Sequence, residues 1–154
     1  MNVWKSLGAT AVFLLLFASM ALPVNVPQFL TVTVTCGLTT DSATLNFGSV
    51  PPGTDSSETQ VRVNNTGSTS TTVNLTGSDW YNASGWFPGT QTHYNYTDAA
   101  QNYNTQMLPL SNTTNVTIGS IANGGSKLVY YKVRIAGGTG TMVYRQITQF
   151  ATVC

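Results

Sequence analysis

Two cysteines, one histidine, five scattered acids and six Asn-x-Ser/Thr sequons are the residues of this 154-residue chain that could carry chemistry. Cys36 and Cys154 permit a single intramolecular pairing. In an oxidising compartment that pairing is favoured, and it would close a loop of more than 100 residues, worth about 4–5 kcal/mol in the chain-entropy model. The alternative is a pair of free buried thiols. No CxxC occurs, so a redox or haem-attachment role is not indicated. His93 has no partner residues at metal-ligand spacing. Asp41, Asp55, Glu58, Asp79 and Asp98 are dispersed over expected loops, and no nucleophile-elbow pattern accompanies them. A glycosidase pair drawn from Asp79 and Asp98 is conceivable. The reading is a protein that is not an enzyme and needs no cofactor or metal.

The sequons begin at Asn64, Asn74, Asn82, Asn95, Asn112 and Asn115. Each is an N-glycosylation candidate if the chain is exported. Between Ser78 and Tyr103 lies an aromatic stretch. Trp80, Tyr81, Trp86 and Phe87 in it are candidates for sugar stacking, for a subunit interface where such rings are enriched, or for filling one end of the core.

Composition bounds the rest. Charged residues make up 7%, where an ordinary soluble domain has about 25%. Thr (25), Ser (13) and Asn (13) together account for a third of the chain. There is no basic field for nucleic acid. Thr- and Gly-rich, charge-poor composition favours strands and turns.

Residues 1–21 read as a secretory signal: Lys5, then the apolar run Leu7 to Ala18, then Ser19-Met20-Ala21 with small residues at the cleavage positions. The run is shorter than the ~20 residues a spanning helix needs. A type IV pilin-like leader that keeps its apolar helix is the alternative, opposed by Pro23 and Pro27. Cleavage after Ala21 predicts a secreted, extracellular chain that loses Lys5 and has a formal charge of zero. Such a surface does not resist association.

Downstream, alternation with period two recurs and no helical period is evident. Gln28–Cys36 sets Leu30, Val32, Val34 and Cys36 on one face and threonines on the other. Thr44–Phe47, Gln60–Asn64, Thr71–Leu75, Met107–Leu110, Asn115–Ile118, Lys127–Ile135 and Thr141–Cys154 follow. Gly48 and Pro51-Pro52-Gly53 are expected to end the second strand, and a slip in alternation at Gln146–Thr148 predicts a bulge or bend. The expected fold is all-β: an immunoglobulin-like, jelly-roll-type sandwich of 7–8 short strands with an extended N-terminal strand. The division expected is 1–21 signal, 22–35 N-terminal extension and 36–154 sandwich domain.

The run Leu45-Asn46-Phe47-Gly48-Ser49-Val50-Pro51-Pro52-Gly53, the Val-alternating strand after it, Asn65-Thr66-Gly67, a second Val/Leu strand and then Trp80 resemble the subunits of archaeal bundling pili and archaeal threads. These are distantly similar to the biofilm fibre protein TasA and to camelysin. The resemblance implies an adhesion or biofilm filament polymerised head to tail by donor-strand complementation, each copy's N-terminal segment completing its neighbour's sheet. The implied donor strand is Phe29, Leu30, Thr31, Val32, Thr33 and Val34. The chain's partner would then be itself, with neighbouring filaments or surface glycans beside it. The other readings are a strand that stays in its own domain and a monomeric cell-surface module binding carbohydrate.

Overall fold

The computed structural model describes residues 37–97, 99, 101–136 and 143–152, together with the backbone of residues 24–32. The expected signal at 1–21, the donor residues Thr33 and Val34, Asp98 and both cysteines lie outside the described residues.

Alternating Thr/Val and Thr/Leu segments form twelve strands among these residues. They are β1 (Val24–Val32), β2 (Leu38–Thr40), β3 (Thr44–Val50), β4 (Thr59–Asn65), β5 (Thr71–Gly77), β6 (Trp80–Tyr81), β7 (Trp86–Phe87), β8 (Thr92–Asn95), β9 (Leu108–Pro109), β10 (Val116–Ile121), β11 (Ser126–Val133) and β12 (Gln146–Thr152), with one 3-10 turn at Gly89–Gln91. Eight have four residues or more, at the upper end of the expected number. The others are two- or three-residue edge and hairpin pieces.

The strands build two five-stranded sheets, in the orders β10-β5-β12-β1-β3 and β2-β4-β11-β8-β9, and a small ribbon of β6 and β7. The fold is thus an all-β sandwich. Successive side chains in a strand face opposite ways, so each alternating segment buries one row. Leu45, Phe47, Val73, Leu75, Ile118 and Phe150 from the first sheet meet Leu38, Val61, Val63, Val129, Tyr131 and Val133 from the second in one core. At roughly 1.5–3 kcal/mol for each large apolar side chain fully buried, this core is the main stabilising term.

Three local readings are corrected. β3 does not end at Gly48 but continues to Val50. Opposite β1 its register slips by one residue between Asn25↔Ser49 and Pro27↔Asn46. Gly48, at φ 68°, takes the left-handed conformation such a bulge requires. A second bulge lies in β10, between Thr117↔Asn74 and Gly119↔Val73, with Gly119 at φ 101°; it turns Ile121 as well as Ile118 into the core. The expected bulge at Gln146–Thr148 is absent. Burial alternates regularly along β12, and Gln146 and Thr148 are polar residues that point inward.

Candidate assembly strand and aromatic hairpin

β1 is fourth of the five strands in its sheet. Its first part pairs antiparallel with β3, from Val24↔Val50 to Phe29↔Thr44. Its last part pairs parallel with β12, from Gln28↔Gln146 to Val32↔Phe150. Gln28 and Phe29 alone among its residues have register partners on both sides. Pro27, which has no N–H to give a ladder, sits where β3 bulges. Of the expected donor residues, Phe29, Leu30, Thr31 and Val32 therefore fall in a strand of the chain's own sheet. The strand begins four residues earlier than the alternation suggested. Leu30 and Val32 take the positions opposite Thr148 and Phe150, which are buried, while Thr31 lies opposite Gln149, which is exposed.

The aromatic stretch is not one irregular loop. It holds the β6–β7 hairpin, the 3-10 turn and β8, which pairs with the strong strand β11. The hairpin sorts its four rings by strand alternation. Trp80 and Phe87 face in, 0% and 6% exposed, and stack at 5.6 Å between centroids. Phe87 in turn meets Tyr144 edge-on at 4.9 Å. Trp80 and Phe87 are thus core residues, which removes them from the sugar-stacking and interface candidates. Tyr81 and Trp86, paired with each other across the hairpin, face out, 43% and 69% exposed.

A buried polar chain anchors this hairpin to β12. The Trp80 indole Nε1 donates to the Thr92 hydroxyl (2.8 Å), which donates to Gln146 Oε1 (2.8 Å). Gln146 Nε2 donates to the Ser78 carbonyl (2.7 Å) and the Gly89 carbonyl (3.3 Å). Gly89 admits no side chain, because a Cβ there would stand 2.4 Å from the Ser78 carbonyl oxygen. Sequence reasoning missed Thr92 and Gln146. The signal was the slip in alternation at Gln146–Thr148, where a polar residue occupies an inward position because it has hydrogen-bond partners there.

Just before β12, Tyr81 and Arg145 exchange backbone hydrogen bonds, N to O at 2.9 Å in both directions. Tyr81, Asn82, Ala83, Val143 and Arg145 line an open cleft of about 420 Å³ there. Val143 is 51% exposed. Three of the four large exposed hydrophobic residues among those described, Tyr81, Trp86 and Val143, lie in this region.

The sequon asparagines fall in different settings. Asn64, Asn74 and Asn95 are half-buried in β4, β5 and β8; Asn64 and Asn74 have strand partners on both sides, and Asn95 pairs with Tyr130 of β11. Asn82 closes the β6–β7 hairpin; its Oδ1 accepts from the Ser84 and Gly85 amides, and its Nδ2 is sealed from solvent without a partner. Asn112 is exposed and donates to Asp79 Oδ1 (2.9 Å). Asn115 is exposed immediately before β10.

His93 is half-buried on β8. Its ring stacks on Tyr103 at 3.8 Å, and its Nδ1 lies 2.6 Å from the Tyr103 carbonyl oxygen. Burial lowers its pKa, a hydrogen bond to Tyr103 opposes this, and the nearby Arg134 cation adds to the lowering. Arg134 lies over the Tyr103 ring, at 4.6 Å, and pairs with Asp55 at 2.6 Å. Asp79 Oδ1 accepts from the Gly89 amide as well as from Asn112, which occupies it structurally. Among the described residues no group of three His, Cys, Asp or Glu side chains converges to hold a metal.

No protein-family model matches this chain, and no curated protein is similar to it in sequence.

Proposed function

We propose that this chain is the subunit of an extracellular filament and that β1 is the segment exchanged between copies. The supporting observation is the position of β1. It is inserted between β12 and β3, so its withdrawal would leave two strands with unpaired edges around one slot. An identical segment from another copy would restore the same ladder, as in strand addition to an open sheet. Exchange of one strand in a fixed direction is heterologous, and where it does not close it builds a fibre. The resemblance to archaeal bundling-pilus and thread subunits points the same way.

Exchanged and self-inserted contacts are the same, so their energies nearly cancel. The balance then depends on concentration. A short tether gives the chain's own strand a millimolar effective concentration. Once closed, a dilute subunit would stay monomeric, and mild destabilisation or high local concentration would release it for assembly. Incubating folded protein with sub-denaturing urea, then examining it by electron microscopy and by a denaturing gel without boiling, tests this. Filaments and a ladder of oligomers are expected. Monomer alone at every concentration and urea level would overturn the proposal.

A second reading rests on the outward Tyr81–Trp86 pair and the cleft beside it: a surface module holding polysaccharide by ring stacking. Polysaccharide affinity that falls on Trp86→Ala, in protein that never polymerises, would favour it.

A further inference from the structure

We infer that Asn115 is the glycan-bearing residue of this chain and that the sequons at Asn64, Asn74 and Asn82 stay bare. The inference deepens the filament reading, since it rests on export of the chain. Attachment requires a transferase to grip an Asn-x-Thr backbone and reach the carboxamide nitrogen. A strand with hydrogen bonds on both edges offers no such grip. β4 lies between β2 and β11 and β5 between β10 and β12, with Asn64 and Asn74 paired on both sides, which withdraws these two. The Nδ2 of Asn95 already donates to the Gln106 carbonyl at 3.0 Å. The Nδ2 of Asn82 is out of solvent's reach.

Asn112 and Asn115 remain. The Asn112 sequon is tied into a bend, in which the Ser111 hydroxyl oxygen accepts from the Thr113 and Thr114 amides at 3.2 and 2.9 Å. Its carboxamide is held by Asp79. Asn115-Val116-Thr117 differs in each respect. Asn115 is exposed in open backbone, and Val116 and Thr117 begin β10, the edge strand of its sheet, so one side of the sequon is unpaired. The Thr117 side chain is exposed, and its hydroxyl donates to Asn74 Oδ1 at 2.8 Å.

The donor would be an oligosaccharide linked to a lipid phosphate or pyrophosphate. The Asn115 nitrogen forms a bond to C1 of the first sugar and gives up one proton. The C1–O bond breaks, and the lipid phosphate leaves with its electron pair. The attached glycan would lie beside the free edge of β10, where an unprotected edge invites pairing with another copy. Lateral association would be hindered there, away from the β1 slot.

The test uses the folded full chain, membranes containing an oligosaccharyl transferase and lipid-linked donor, and a synthetic Ser111–Ile118 peptide as a control acceptor. Glycopeptide mass spectrometry should find sugar on Asn115 and none on Asn64, Asn74 or Asn82. Asn115→Gln should lower the intact mass by one glycan, and Asn74→Gln should leave it unchanged. A modified control peptide with Asn115 bare in the protein would overturn the inference. So would occupancy of Asn64 or Asn74 equal to that of Asn115. Occupancy is read on monomer, so it stands or falls separately from filament formation.

Discussion

Val32 of β1 lies opposite Phe150 of β12 in a parallel ladder, 118 residues apart in the chain, and the same interval holds for each pair back to Gln28 and Gln146. Cys36 and Cys154 lie outside the described residues. An intramolecular Cys36–Cys154 bridge is the expectation of the sequence, the single pairing two cysteines permit in an oxidising compartment. Intact mass after alkylation without reductant should show no labelled thiol and a monomer mass. Two labelled thiols would remove the bridge, and a covalent dimer would make it an assembly link.

The register also ranks substitutions in β1. Val32→Asp places a carboxylate at the position opposite Phe150, which is fully buried. An unpaired charge there would cost several kcal/mol or be forced to take up a proton. Thr31→Asp falls opposite exposed Gln149, where surface changes usually stay within about 0.5 kcal/mol. Urea midpoints and filament yield should both drop sharply for Val32→Asp and little for Thr31→Asp. Equal losses would mean that the two positions do not lie on opposite faces of a strand, and a loss confined to Thr31→Asp that the faces are reversed.

The Trp80–Thr92–Gln146 chain should behave as a unit. Thr92→Val leaves the Trp80 indole N–H and Gln146 Oε1 without that partner, and Gln146→Ala strips the Ser78 carbonyl of a donor. A buried polar group left unsatisfied costs about 1–3 kcal/mol. The double variant should cost less than the two single losses added, because they share one bond. Additive losses in urea unfolding would show that the three residues act independently.

His93 is the chain's one histidine, so it dominates titration near neutral pH. Burial lowers its folded-state pKa below the ordinary 6.5. The unfolded chain then binds the proton first, and stability falls as pH drops below about 6.5 toward the folded pKa. Thermal midpoints should decline over that window in the native protein and stay flat in His93→Gln. A flat native profile would mean that burial does not oppose protonation.

Much of the sandwich was legible because alternation is a direct imprint of strand geometry. Val61/Val63, Val73/Leu75 and Val129/Tyr131/Val133 all face inward as their spacing required. Bulges were harder to place. Gly48 and Gly119 read as breaks or went unremarked, because a glycine that bends a strand and one that ends it look alike in sequence. Gln146 misled for the opposite reason: an inward polar residue mimics a slip in register unless its partners, far away in the chain, are known. The aromatic stretch hid two inward and two outward rings, since two-residue strands are too short to show a period. Whether β1 pairs at home or abroad has no local signature, because the segment carries the same alternation in both cases.

Under the filament proposal, the slot between β12 and β3 takes a strand from another copy. The most direct measurement mixes chain lacking residues 22–32 with a synthetic peptide of that segment and follows binding and filament formation together. The truncated chain should form no filaments and should bind the peptide in a one-to-one complex with restored thermal stability, and a Val32→Asp peptide should fail to bind. Filaments of normal appearance from the truncated chain alone, or a truncated chain as stable without the peptide as with it, would contradict the proposal.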